Sequence, residues 1–123
     1  MIIYILFLMI LCHIIDDFVL QPICLSKLKQ KSWWDENCHG KQYKNDYKMA
    51  LFIHCLSWSI MVHLPIMFLL PYGWILSLSI LINTCIHYIV DDLKANKYKI
   101  NLITDQSIHF IQIILTFIIF ILI

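Results

Sequence analysis

Four long apolar runs, at about 1–25, 49–70, 73–91 and 101–123, dominate the chain, and the polar residues gather between them. Each run is close to the ~20 residues a helix needs to cross the hydrocarbon of a bilayer. The pattern predicts an all-α protein, a four-helix transmembrane bundle formed by a single domain over 1–123. Pro71-Tyr72-Gly73 separates the second run from the third, since Pro and Gly together mark a tight turn. Segments 26–48 and 92–100 are the polar connections.

Composition adds that 61% of the residues are hydrophobic and 14% charged, with a mean hydropathy of +0.79. A soluble domain of this size could not hide so much apolar surface, so the partner expected for it is the lipid bilayer. Net charge is +1 and no basic stripe exists, so no nucleic-acid partner is predicted. The five Cys include no C-x-x-C, and four lie in apolar runs, where Cys behaves as a small hydrophobe. Neither a disulfide framework nor a Cys-based zinc site is expected. The first run lacks a positively charged start and a small-residue cleavage site, and reads as a retained helix, not a signal peptide.

Lysine placement sets an orientation. All nine basic residues are Lys and all lie in the two connections, which are on one side of a four-span chain. The positive-inside rule makes both Lys-rich loops cytoplasmic and both termini external. Trp33 and Trp34 in the first loop fit an aromatic anchor on a short interfacial helix.

Three of the runs carry a His and an Asp four residues apart: His13/Asp17, His87/Asp91 and Asp105/His109. That spacing puts both members of a pair on one helix face. Each ionisable group in hydrocarbon costs roughly 2.5–3.5 kcal/mol even on the lenient insertion scale, so three such pairs point to a function. With the orientation above, these pairs and His54 fall at a similar depth in the cytoplasmic leaflet, within two to three turns of the surface. They are expected to form one centre. His63 lies in the outer half and is expected to make one local hydrogen bond, and His39 lies in the loop.

His and carboxylate ligands suit a divalent Zn, Mn or Fe ion. The candidate metal ligands are His13, Asp17, His54, His87, Asp91, Asp105 and His109, with Asp17, Asp91 and Asp105 also available as catalytic groups. Seven candidates exceed what one tetrahedral ion needs, leaving room for a second ion or for a general base. Gln21, Lys94 and Gln106 are the candidate substrate contacts, with Lys97 and Lys99 near Lys94. The competing structural roles are interhelical hydrogen bonds for the first pair, a snorkelling ion pair for Asp91 and Lys94, and helix capping for Asp105.

At these residues the chain resembles an uncharacterised family of small bacterial and phage membrane proteins, labelled a domain of unknown function. The resemblance rests on His13-Ile-Ile-Asp16-Asp17-Phe18-Val19-Leu20-Gln21, on His54, on His87 to Asp91 and Lys94, and on Asp105-Gln106 to His109. It covers nearly the whole chain and implies an integral protein of the bacterial inner (plasma) membrane. Many relatives have a second His where this chain has Trp58, so no ligand role is carried to that position. A looser similarity is to membrane-bound metal-dependent hydrolases, which also place His and Asp in short apolar helices.

These readings favour a metal-dependent hydrolase acting on an anionic lipid or an amphiphilic phosphorylated substrate. The alternatives are a proton- or ion-coupled transporter or channel, which with four helices requires a homo-oligomer, and a non-catalytic membrane interaction protein that binds a partner through loop 26–48.

Overall fold

A computed structural model describes residues 2–21, 23–69 and 73–122. Among them there are helices and no strands. The order is α1 (Ile2–Ile14), continued by a π-helical turn (Ile15–Leu20), then α2 (Ile23–Leu28), α3 (Lys31–Asn37), a 3-10 turn (Lys41–Tyr43), α4 (Asp46–Leu69), α5 (Gly73–Ala95) and α6 (Leu102–Leu122). Four stretches are long and apolar enough to cross a membrane: Ile2–Leu20, Lys41–Leu69, Gly73–Ala95 and Leu102–Leu122. Of the expected turn at Pro71-Tyr72-Gly73, only Gly73, the first residue of α5, is among the described residues.

The boundaries differ from the apolar runs for local reasons. The first helix stops at Leu20 and not near 25, because the chain leaves the helix at Gln21, whose ψ is 103°. The third continues past Asp91 to Ala95, since Lys94 finds a carboxylate on α6. It then ends in a loop closed by the Asn96 and Lys97 amides, both donating to the Asp92 carbonyl, with Tyr98 at φ 53° reversing the chain. The cap of α6 is Asn101, whose Oδ1 accepts from the Thr104 amide at 2.8 Å. Asp105 is thereby released from the capping role that its position suggested. Trp33 and Trp34 do lie on a short helix, α3.

α1 packs on α4 and α6, and α5 packs on the same two helices. Ile5, Met9, Trp58, Val62, Ile66, Ile113 and Phe120 form the apolar core. Toward the Lys-rich end the interior turns polar. His13, Asp16, His54, His87, Asp91, Asp105 and His109 are all buried, while Ile3, Phe68, Leu81, Ile103 and Leu122 face outward. Polar inside and apolar outside is the reverse of a water-soluble domain.

A second polar tier ties α4, α5 and α6 together. Asn83 Nδ2 donates to Thr116 Oγ1 at 3.0 Å, and Gln112 Nε2 donates to Asn83 Oδ1 at 2.9 Å. His63 makes two hydrogen bonds where one was expected: to the Ser59 carbonyl at 2.7 Å and with the Ser79 hydroxyl at 2.8 Å. Interhelical side-chain bonds in membrane proteins contribute about 0.6 kcal/mol on average and up to about 1.7. Asn83→Leu should therefore destabilise the protein within that range, read as a lower unfolding midpoint in detergent, with the centre described next left intact.

Candidate metal centre

The centre is assembled from four helices because each delivers its polar residues on one face. On α5, His87 and Asp91 are one turn apart, with His87 Nε2 3.7 Å from Asp91 Oδ1. On α6, Asp105 and His109 repeat the arrangement, with His109 Nε2 3.3 Å from Asp105 Oδ1. On α1, His13 Nδ1 stands 3.7 Å from Asp17 Oδ2. α4 supplies His54 between them.

Asp91 is the hub. Its Oδ2 lies 3.2 Å from His54 Nε2, and its Oδ1 lies 3.5 Å from His109 Nε2. His54 Nε2 is 3.4 Å from His87 Nε2 and 3.8 Å from Asp17 Oδ1. The imidazoles are held face to face: His87 stacks on His109 with centroids 4.0 Å apart, and on Trp58 at 4.2 Å. Three groups bring ligand atoms within 4.8 Å of one another: Asp17, His54 and His87; Asp91, Asp105 and His109; and Cys55, His87 and Asp91.

The donor set fits a divalent ion. Metal–nitrogen bonds of 2.0–2.1 Å in a tetrahedron separate neighbouring ligand atoms by about 3.3–3.4 Å. The 3.4 Å between the His54 and His87 ε-nitrogens and the 3.2 Å from His54 to Asp91 match that spacing. Several buried ligand atoms also lack a hydrogen-bond partner: Asp17 Oδ1, Asp105 Oδ1, His87 Nδ1 and both ring nitrogens of His109. Buried polar atoms ordinarily find partners, and the carboxylate oxygens and imidazole nitrogens left without one here are of the types that ligate a metal ion.

His13 stands apart from the other six predicted ligands. Its Nδ1 accepts from the Trp58 indole at 2.7 Å, and its Nε2 faces Gln106 Oε1 at 3.1 Å. With Nδ1 accepting, Nε2 carries the proton and donates, and neither nitrogen is free. Gln106 extends the link, its amide donating to Asp17 Oδ2 and Asp105 Oδ2, each at 3.2 Å. Predicted as a substrate contact, Gln106 is a brace between α1 and α6 that also lines the cavity beside the centre.

Lys94 pairs with Asp105 at 2.6 Å and not with Asp91, the partner its sequence spacing suggested. Asp91 is instead reached by Lys29, from the end of α2, whose Nζ lies 2.8 Å from Oδ2. Gln21, with its amide oriented to satisfy both neighbours, accepts from Lys29 Nζ at 3.0 Å and donates to the Asp17 carbonyl at 3.3 Å. Asp16 is the other residue that spacing did not place here. The π turn is closed by the Gln21 amide donating to the Asp16 carbonyl at 3.0 Å, five residues back. Its wider winding turns both adjacent carboxylates inward, and Asp16 Oδ1 accepts from Ser57 Oγ at 2.9 Å. Lys97 and Lys99 stay outside the centre, Lys97 forming an exposed pair with Asp92 at 2.8 Å.

A cavity of about 130 Å³ opens beside the ligands, lined by Asp17, Gln21, Lys29, His54, Asp91, Lys94 and Gln106 with Phe18 and Leu102. A second space of about 340 Å³ shares Gln21, Lys29, Asp91 and Lys94 and continues past Gln30 and Tyr98.

The family model described as "Protein of unknown function (DUF3307)" matches residues 5–123, and the chain belongs to that family. No curated protein and no solved structure matches it.

Proposed function

We propose that this DUF3307 member is an intramembrane metal-dependent hydrolase, a four-helix transmembrane bundle whose centre opens to the cytoplasmic leaflet. The observation that carries the reading is the convergence of His54, His87, His109, Asp17, Asp91 and Asp105 from four helices, with several of their buried ligand atoms unpartnered. Lysine placement supports the orientation: Lys29 lies in the first Lys-rich connection and Lys94 in the last turn of α5 before the second, and the cavity they line lies at that end.

His54, His87, His109 and Asp91 would hold the ion, which supplies Lewis acidity and activates water. Asp17 lines the cavity with Oδ1 unpartnered and is placed to take the proton of the attacking water. Asp105, held by Lys94 and Gln106, faces the same His109 nitrogen as Asp91 does and would join the ligands on that side. Trp58, His13 and Gln106 brace Asp17 from behind. The substrate is an anionic lipid or an amphiphilic phosphorylated molecule, entering past Tyr98 and Gln30.

The test is metal content of detergent-purified protein. Wild type should carry Zn, Mn or Fe at one or two ions per chain, and His87→Ala should lose most of it while remaining helical. A folded wild type without metal would overturn the reading.

The polar tier through His63, Ser79, Asn83 and Thr116 favours one other function, a proton- or ion-coupled transporter acting as an oligomer. Flux across proteoliposomes that Asn83→Leu abolishes would select it.

A further inference from the structure

Lys29 reaches the centre because its backbone is clamped. Asn96, in the turn after α5, accepts from the Lys31 amide at 2.7 Å and donates to the Lys29 carbonyl at 3.2 Å and to Asp92 Oδ1 at 3.0 Å. One side chain thus grips the chain at Lys29 and again at Lys31 and fixes it to the end of α5. Trp34 adds a second hold, its indole donating to the Leu28 carbonyl at 2.7 Å. Such a two-point clamp on a loop lysine exceeds what a surface ion pair requires. The Lys29 side chain is 12% exposed and that of Asp91 4%.

Lys29, just after α2, and Lys94, in the last turn of α5, then flank one small cavity, with the side chains of Gln21 and Gln106 completing its polar lining. Lysine ammonium groups are donors, and the ionised unesterified oxygens of a phosphate are strong acceptors. The charges decide when such a group can enter. The cavity wall carries two carboxylates, Asp17 and Asp91, against two ammonium groups, so it is neutral. Asp105, paired behind Lys94, and Asp16, turned inward beside Asp17, bring the ensemble to two negative charges. A single divalent ion brings it to neutrality and removes the net repulsion that an anion would meet.

We propose that this cavity is a phosphate site, receptive when the centre holds its ion, with Lys29 and Lys94 as the anion contacts and Asn96 as the residue that positions Lys29. The proposal rests on the metal-centre reading and names its substrate class: a phosphate ester whose phosphate sits between the two lysines. The phosphate could belong to a lipid headgroup or to a free molecule.

The experiment uses full-length protein in detergent, loaded with Mn²⁺ or stripped by chelator, with metal content measured in every sample. One arm titrates inorganic phosphate. The other measures, by native mass spectrometry, retention of phosphatidic acid against phosphatidylcholine. Loaded wild type should bind phosphate, phosphatidic acid or both, and whichever arm responds identifies the source. Lys29→Gln and Lys94→Gln should each weaken binding by about tenfold or more, as expected for losing a charge-assisted hydrogen bond. Lys29→Arg should retain most of it, and Asn96→Ala should weaken it with metal content unchanged. Loaded wild type that binds neither ligand, or a folded Lys29→Gln protein that binds like wild type, would overturn the site. Equal affinity of loaded and stripped protein would overturn the dependence on the ion. If wild type holds no metal, the metal reading fails alone: phosphate binding that Lys29→Gln removes would still uphold the lysine site, and absence of binding would overturn both.

Discussion

Asp91→Ala should abolish metal binding and, with it, any hydrolysis, while the neighbouring Asp92→Ala should leave metal content unchanged. The two carboxylates are adjacent in sequence and opposite in environment. Asp91 is buried and faces His54, His87, His109 and Lys29 within 2.8–3.7 Å. Asp92 points away to Lys97, whose side chain is 54% exposed. Outer partners of metal ligands alone are worth about 10–100-fold in affinity, so removing the hub ligand should cost at least about 100-fold. Stability moves with it. Removing one member of a buried ion pair costs about 3–5 kcal/mol, because the partner charge stays behind. Here the stranded charge is Lys29. Exposed pairs contribute about 0–1 kcal/mol, and a hydrogen bond to a charged group, such as the one Asp92 accepts from Asn96, about 1.5–3. The Asp92 variant should therefore lose less than Asp91→Ala. Metal analysis and thermal unfolding of the two variants side by side check both halves. A metal-replete Asp91→Ala protein would remove Asp91 from the ligand set.

Chelation should act on the same balance without any mutation. A ligand at 100 times its dissociation constant stabilises the native state by about 2.7 kcal/mol. Stripping the ion should therefore lower the unfolding midpoint of wild type and leave that of Asp91→Ala where it was. A chelator that shifts both equally would be acting somewhere other than the centre.

Much of this centre was legible from spacing. A helix repeats its face every three to four residues, so the His/Asp pairs on α1, α5 and α6 announced their own faces. Lysine placement put those faces and His54 at one depth, and the side chains do meet. Lys29 was not legible: it is one of six lysines in a polar connection, and only the folding of α2 and the Asn96 clamp single it out. Asp16 was hidden by the π turn, which nothing in its composition reveals. Cys55 was set aside as a small hydrophobe, yet it joins His87 and Asp91 in one ligand group, simply by following His54 on α4. Ser79/Asn83 and Gln112/Thr116 are polar residues one turn apart inside apolar runs, the same signal as the His/Asp pairs. Their tier could have been found by the reasoning that found the centre.

The second large effect is expected at Lys94. Asp105 is fully buried, and Lys94 Nζ at 2.6 Å is the cation that compensates it. Lys94→Met keeps an unbranched side chain one atom shorter and deletes its charge, leaving a carboxylate inside the protein beside His109 and Gln106. Because the Lys94 side chain is 32% exposed, water relieves part of the penalty, and the loss should sit near the low end of the buried-pair range, about 3 kcal/mol. Asp105→Asn alone strands only a partly solvated ammonium and should cost less. The double variant Lys94→Met/Asp105→Asn should recover most of the Lys94→Met loss, since replacing both members removes the uncompensated charge. Unfolding free energies of the wild type, the two single variants and the double variant close a cycle whose coupling measures the pair. Metal content separates the two roles of Asp105. If it only answers Lys94, the double variant should bind metal like wild type. If it also helps to hold the ion beside His109, metal affinity should stay at least about 10–100-fold down even though stability returns. Asp105 Oδ1 accepts no hydrogen bond and lies 3.3 Å from His109 Nε2 on the ligand side, which leads us to expect the second outcome.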